Sequence, residues 1–291
     1  MESRLRARIT ALAEAEPALA DDLALRGALI EIVDLAEIGS FELRLPADTA
    51  RARLAAGVPL IDRLDLPIAS SVATLFERLT VAFLADDGTR QPAEALLLAV
   101  RGHRLHAEQL VGEAVVGHHD HLTALAESAD VSTRLVVMVA DLAARALLAA
   151  VARRLGPALS LGTWDRGYCP ICGGLPLLAE VGGALRCGRC ASSWAHPLRL
   201  CPDCTTGAFN VIEIEDDVDL GGWQIAACDA CPEYLKIAPS PRSDALADLL
   251  VDDLETWHLD RWALQEGLQR RGGVGYRLEH GEPAGEELDD D

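Results

Sequence analysis

The sequence predicts an α+β chain: an N-terminal all-α helical domain over residues 1–160, two tandem metal modules over 161–240, and a C-terminal helix over 241–271. Three observations carry that expectation. All eight cysteines of the 291 residues stand in C-x-x-C pairs, Cys169/Cys172, Cys187/Cys190, Cys201/Cys204 and Cys228/Cys231. The stretch before them lacks cysteine and repeats Leu, Ala and Val at helical spacing. The stretch that holds them breaks into short β-type runs between turn residues.

In chain order, the periodicity predicts helices over 4–12, 22–36, 68–85, 92–116 and 131–155, with loops at Gly57-Val-Pro59 and Asp86-Asp-Gly88. Ser128-Ala-Asp130 reads as the start of the last of these helices, and Gly156-Pro157 after Arg153-Arg154 as its end. The most apolar run, 135–151, carries Asp141 and Arg145 at i,i+4. That pattern fits a buried helix with an exposed ion pair better than a membrane span, and no uncharged run reaches the roughly 20 residues that a span needs.

Strands are expected over 177–181, 184–186, 210–214, 223–227 and 234–237. The break Ala238-Pro-Ser-Pro241 follows, and then a helical pattern over 243–271 with Trp257 and Trp262. Residues 272–291, which end in Glu286-Glu-Leu-Asp-Asp-Asp291, read as an acidic disordered tail.

A C-x-x-C turn lets two sulfurs converge on one ion, and two such turns complete a tetrahedron. The first two pairs leave 14 residues between them and the last two leave 23, room in each case for a hairpin that returns the chain to the ion; 10 residues separate the second pair from the third. Sequential pairing gives one site from Cys169, Cys172, Cys187 and Cys190 and another from Cys201, Cys204, Cys228 and Cys231, while a nested arrangement stays open. Each unit of knuckle, hairpin and knuckle is too small to bury a sufficient core, so metal must supply the rest. Structural zinc provides about 10–16 kcal/mol. Iron and zinc share this four-thiolate geometry, and two ions of either kind satisfy the spacing.

Two other uses of the cysteines weigh less. A disulfide framework needs an oxidising compartment, and Met1-Glu-Ser-Arg-Leu-Arg-Ala-Arg8 lacks the apolar core of a signal peptide, so the expected location is cytoplasmic. A thioredoxin-like redox pair stands alone at the start of a helix, unlike these four clustered pairs.

The formal charge of −20 makes nucleic acid a poor partner, and acidic runs such as Glu213-Ile-Glu-Asp-Asp217 lie between the ligands. Half of the residues are hydrophobic, which supports a packed core. No G-x-S-x-G, P-loop or H-E-x-x-H pattern occurs, and the expected protein is not an enzyme.

The metal segment resembles the formate dehydrogenase accessory protein family, FdhE. The resemblance is carried by Cys169-Pro-Ile-Cys-Gly-Gly-Leu-Pro176, Cys187-Gly-Arg-Cys-Ala-Ser-Ser-Trp194, Arg199 two residues before Cys201, Cys228-Asp-Ala-Cys-Pro-Glu-Tyr-Leu-Lys236 and Val251-Asp-Asp-Leu-Glu-Thr-Trp-His-Leu-Asp260, with Glu266-Gly267 following. It is close over about residues 165–271, whereas 1–160 resembles the family in being helical and of similar length. Cys204-Thr-Thr-Gly207 departs from it, since the family places Gly closer to the third knuckle. The resemblance implies a cytoplasmic, non-catalytic maturation factor with two rubredoxin-like folds. Its implied partner is the catalytic subunit of a molybdenum- or tungsten-containing formate dehydrogenase. A homodimer is a further possible assembly.

The residues expected to meet that partner are Trp194, Arg199, Tyr234, Lys236, Asp252 and Asp253. Each has a plainer reading. Lys236, the one lysine of the chain, is otherwise a surface charge that offsets the thiolates. Trp194 and Trp223 read chiefly as walls that close the sites, and Asp252 and Asp253 equally as a solvated helix face. His118-His-Asp-His121 reads as a solvated loop rather than a third metal site, and His103 and His106 as a partly exposed pair on one helix face. The rival function is redox, by rubredoxin-like electron transfer or by thiol exchange at a labile knuckle.

Overall fold

Among the described residues, apolar residues at helical spacing build eight α-helices before the first cysteine: α1 Arg4–Ala15, α2 Ala20–Asp34, α3 Ala47–Ala56, α4 Ser70–Ala82, α5 Arg90–Arg101, α6 Ala107–Val116, α7 His119–Ser128 and α8 Thr133–Leu155. The computed structural model describes residues 4–36, 38, 41, 43–64, 66, 68, 70–212, 221–270, 272, 274–276 and 278. Helix α8 is the axis of this half and packs against α4, α6 and α7. Val136, Val139, Ala143, Leu147 and Val151 along it are wholly buried. By length and hydropathy 133–160 passes as a membrane span, but 72% of its apolar window is buried inside the protein. It is a core helix.

Several boundaries differ from the expectation, each for a local reason. Helix α8 is capped by Ser132, whose side chain accepts from the Leu135 amide at 3.4 Å. Ser128 instead closes α7, and Asp130 turns the chain with φ +54. The single helix expected over 92–116 is two, because Gly102 and a left-handed His103 (φ +56) separate α5 from α6. His103 and His106 therefore sit in a turn, not on one helix face. Helix α3 follows Pro46 and stops at Gly57, where φ is +72.

Among the described residues six strands follow: β1 Pro176–Glu180, β2 Ala184–Cys187, β3 Ser193–Ala195, β4 Phe209–Ile212, β5 Gln224–Cys228 and β6 Tyr234–Ala238. They form one sheet in the order β3-β2-β1-β6-β5-β4. Each metal module contributes one antiparallel half, β1-β2-β3 or β4-β5-β6. The halves join through a parallel pairing of β1 with β6, Leu178 opposite Lys236 and Ala179 opposite Ile237. After the sheet come α9 Leu246–Glu255 and α10 Trp257–Gln265, two helices where one was expected, divided at Thr256.

A single apolar cluster runs from the helices through the knuckles to α9 and α10. Backbone contacts reinforce it: the Leu60 amide donates to Pro170 O at 2.8 Å and the Ile61 amide to Ile171 O at 3.1 Å. Arg8 of α1 reaches α9, pairing with Asp252 at 2.6 Å and with Glu255. The first residues of the expected tail are packed as well. The Gly275 and Tyr276 amides donate to Gly173 O at 2.9 and 3.1 Å, and Leu278 is buried. The acidic run 213–217 and residues 279–291 lie outside the described residues.

Candidate metal centres

The knuckles are built on one repeated turn. In the first three, the first cysteine's carbonyl accepts from the amide after the second cysteine: Gly173 to Cys169, Ala191 to Cys187 and Thr205 to Cys201, at 2.9–3.1 Å. The first cysteine's own amide then donates to a carbonyl farther on, Gly174, Ser192 or Gly207. The fourth knuckle has Pro232 at the turn-closing position and so lacks that amide, but Cys228 still donates to Glu233 O at 2.9 Å. Each turn aims backbone amides at sulfur: Ile171 at Cys169 Sγ (3.4 Å), Arg189 at Cys187 Sγ (3.3 Å), Gly207 at Cys204 Sγ (3.4 Å) and Ala230 at Cys228 Sγ (3.3 Å).

The sulfurs converge in two groups, and these are the sequential ones: Cys169, Cys172, Cys187 and Cys190 form the first centre, Cys201, Cys204, Cys228 and Cys231 the second. Within each, the ligand atoms lie within 4.8 Å of one another. The closest approaches are 3.4 and 3.6 Å in the first centre and 3.6 and 3.7 Å in the second. Metal–sulfur bonds of about 2.3 Å give a tetrahedron with edges of roughly 3.8 Å, whereas a disulfide needs about 2.05 Å. The spacing fits four thiolates around one ion. Burial pushes the Cys169 and Cys190 thiols up, a cost that an ion at their centre offsets. At the second centre the Thr206 hydroxyl, with the amides of Thr206 and Gly207, holds the Cys204 thiol down at about 6, within the range of a ready ligand.

Gly207 explains the departure at the third knuckle. A Cβ there would lie 2.2 Å from Cys228 Sγ, so only glycine lets this strand approach the second centre. The position just after the second cysteine is left-handed in three knuckles, with φ +69 at Gly173, +62 at Ala191 and +59 at Thr205. Thr205 is β-branched and strained there. Thr205→Gly should therefore stabilise the metal-loaded chain by about 1 kcal/mol, read as a rise in thermal midpoint, while Gly207→Ala should abolish metal uptake at the second centre alone.

The residues expected to face a partner lie mostly inside. Lys236 is 0% exposed, Tyr234 2%, Asp252 4% and Trp194 6%, so their side chains are closed to a docking protein in this conformation. Asp253 is only partly exposed, and Arg199 alone of the six is exposed. Lys236 is thus neither a surface contact nor a surface offset for the thiolates. Its Nζ pairs with Asp253 at 2.6 Å and with Asp260 at 2.9 Å, and donates to Asp253 O at 3.1 Å. Arg270 pairs with the same two carboxylates, and the Tyr234 hydroxyl donates to Asp260 at 2.6 Å. Two cations face two anions in a lock that fastens β6 to α9 and α10. Burial opposes ionisation of Asp253, but Lys236 and Arg270 outweigh it and hold its carboxyl at about 2.

Asp252 serves a second lock, between Arg8 and Arg242. Trp194 is buried on β3, its Nε1 donating to Arg166 O at 3.1 Å, and Trp223 is buried beneath the Arg242 guanidinium. The histidine tract is not a loop: it begins α7, with His118 and His121 on Glu113 and His119 on Asp141 at 3.1 Å. Asp141 is thereby taken from Arg145, and the expected i,i+4 ion pair is not formed. Arg8, Arg189, Asp260 and Arg270 take part in these contacts without having been expected to; Arg189 carries a signal, since it lies inside a C-x-x-C pair, and Asp260 ends the run Val251-Asp-Asp-Leu-Glu-Thr-Trp-His-Leu-Asp260.

Curated proteins similar to this chain include Protein FdhE of Escherichia coli O127:H6 (strain E2348/69 / EPEC), 32% identical over 118 residues, and that of Escherichia coli strain K12, 30% identical over 115 residues. Each match spans 36% of this chain and 36% of the relative, so about a third of those proteins' length is matched. No family model matches. The crystal structure of the FdhE protein from Pseudomonas aeruginosa has the same fold, with a TM-score of 0.58 at 23% identity over 94% of both chains.

Proposed function

The FdhE family is supported by both the sequence match and the shared fold, and from that premise we propose that this chain is an accessory factor for a formate dehydrogenase. It binds the enzyme's catalytic subunit in the cytoplasm, is needed for that subunit's activity, and turns over no substrate itself. The observation that carries the reading is the pair of four-cysteine clusters set in a fold that follows the Pseudomonas aeruginosa structure through the helical half as well as the metal half. Each cluster holds one ion, iron or zinc, through its four thiolates, and the ion supplies cross-linking of the knuckles. The contact surface needs exposed groups, which favours Arg199 with the neighbouring Leu200 (41% exposed) over the five other residues named from the sequence.

Capture with the tagged full-length chain in its own host, read by mass spectrometry, should return a formate dehydrogenase catalytic subunit, and Arg199→Asp should weaken that capture while both metals and the thermal midpoint are kept. Deleting the gene should abolish formate oxidation and leave the dehydrogenase transcript in place. A deletion strain that oxidises formate normally, with no subunit captured, sinks the reading. The redox alternative rests on the same tetrahedral sulfur geometry, and colour separates the two: iron gives a red protein with thiolate charge-transfer bands, zinc a colourless one.

A further inference from the structure

The two centres have the same ligands and the same turns, but their surroundings differ. All four cysteines of the first centre are buried; in the second, Cys201 is buried while Cys204, Cys228 and Cys231 are each partly exposed. The first knuckle is clamped from outside by the Leu60 and Ile61 amides on one side and the Gly275 and Tyr276 amides on the other. The second centre stands at the opposite end of the sheet, beside the edge strand β4.

Charge divides them further. Four thiolates around a divalent ion carry a net charge of about −2, which is costly to bury without counter-charges. Arg189, 7% exposed, sits inside the second knuckle of the first centre. Its Nη2 donates to Ala114 O and Val115 O at the end of α6, while its Nη1 is buried without a hydrogen-bond partner. Arg145 of α8 is only partly buried and makes no hydrogen bond or ion pair among the described residues. Asp141, the carboxylate that its spacing offers to Arg145, is engaged by His119. A buried guanidinium with one unpartnered nitrogen needs an anion, and the loaded first centre, whose second knuckle holds Arg189, is that anion. Arg199, the arginine nearest in sequence to the second centre, is exposed, and that centre's own ligands meet water.

We propose that the two centres divide the work: the first is a closed structural site whose charge is balanced by Arg189, and the second is an open site where metal exchanges and thiolates react with soft electrophiles. At the open site a thiolate sulfur displaces the leaving group of an alkylating agent: with iodoacetamide the S–C bond forms, the C–I bond breaks and iodide departs. The metal then loses one ligand and becomes available to a chelator.

This inference rests on the metal-binding part of the proposed function and not on any client, so its test uses the full-length zinc-loaded chain alone. Zinc release to a chromogenic chelator should run in two phases of one ion each, at rates at least about tenfold apart, and iodoacetamide followed by peptide mass spectrometry should label Cys204, Cys228 and Cys231 ahead of the other five. Arg189→Met should speed the slow phase about tenfold and leave the fast phase unchanged, and Arg189→Lys should restore it. Release of both ions in one phase, or first labelling among Cys169–Cys190, overturns the division whether or not a dehydrogenase subunit is ever captured. Wild-type protein alone decides that outcome. A slow phase that Arg189→Met leaves unchanged overturns the charge-balance half.

Discussion

Cys187→Ser is expected to lower the stability of the metal-loaded chain by at least about 4 kcal/mol, because it removes one of four ligands from an ion whose binding energy is folding energy. Cys187 is wholly buried and ends β2, so the serine hydroxyl would stand in a space closed to water. The loss should begin in the sheet. Limited proteolysis should cut within 163–278 first and leave the helices of 1–160, which have their own apolar packing around α8, as the surviving fragment. Hydrogen exchange should also detect a hinge outside the module, since the Leu60 and Ile61 amides depend on Pro170 and Ile171 of the first knuckle. Equal degradation of both halves would show that the continuous core unfolds as a unit, against the division of the chain near residue 160.

Lys236→Met should cost about 3–5 kcal/mol, the range for breaking a buried pair from one side, because Asp253 and Asp260 are left with Arg270 alone. The sign of the pH dependence follows from Asp253. Its folded value, about 2, lies below its ordinary 3.8, so the stability it contributes is present above 3.8 and is lost as pH falls through about 2. Denaturant titrations across that window should show wild-type stability falling with acid and a shallower fall in Lys236→Met, where the Asp253 carboxyl rises toward its ordinary value. Adding Asp253→Asn to the methionine variant should recover part of the loss, since an uncompensated charge is removed. No recovery would mean that the lock is not electrostatic.

Local features were legible in the sequence and distant ones were not. The sequential cysteine groups followed from loop length, and five of the six strands were placed within a few residues, because hairpins and knuckles are encoded by neighbours. The break at His103 was missed because a left-handed non-glycine residue leaves no compositional mark. The tract at His118 looked like a turn by its polarity, yet Glu113 and Asp141 supply its partners from other helices. Lys236, Asp252 and Asp253 read as surface because charged side chains are rarely buried unless paired, and Tyr234 stands two residues from that lysine. Their partners Asp260, Arg270 and Arg8 are fixed only by how α9 and α10 lie against the sheet and α1.

The parallel seam between β1 and β6 also sets an order of assembly. Antiparallel strands close through short turns, but β6 reaches β1 only after the whole course from β2 to β5 has been laid down. Closing so long a loop is entropically uphill until both hairpins exist, so the seam is the late step of folding. An ion at the first centre fixes β1 and β2, an ion at the second brings β5 and β6 into place, and either one shortens the search left to the other. Metal uptake should therefore be cooperative between sites that share no ligand, and the lone lysine, carried on β6 opposite Leu178, would be sealed from water last.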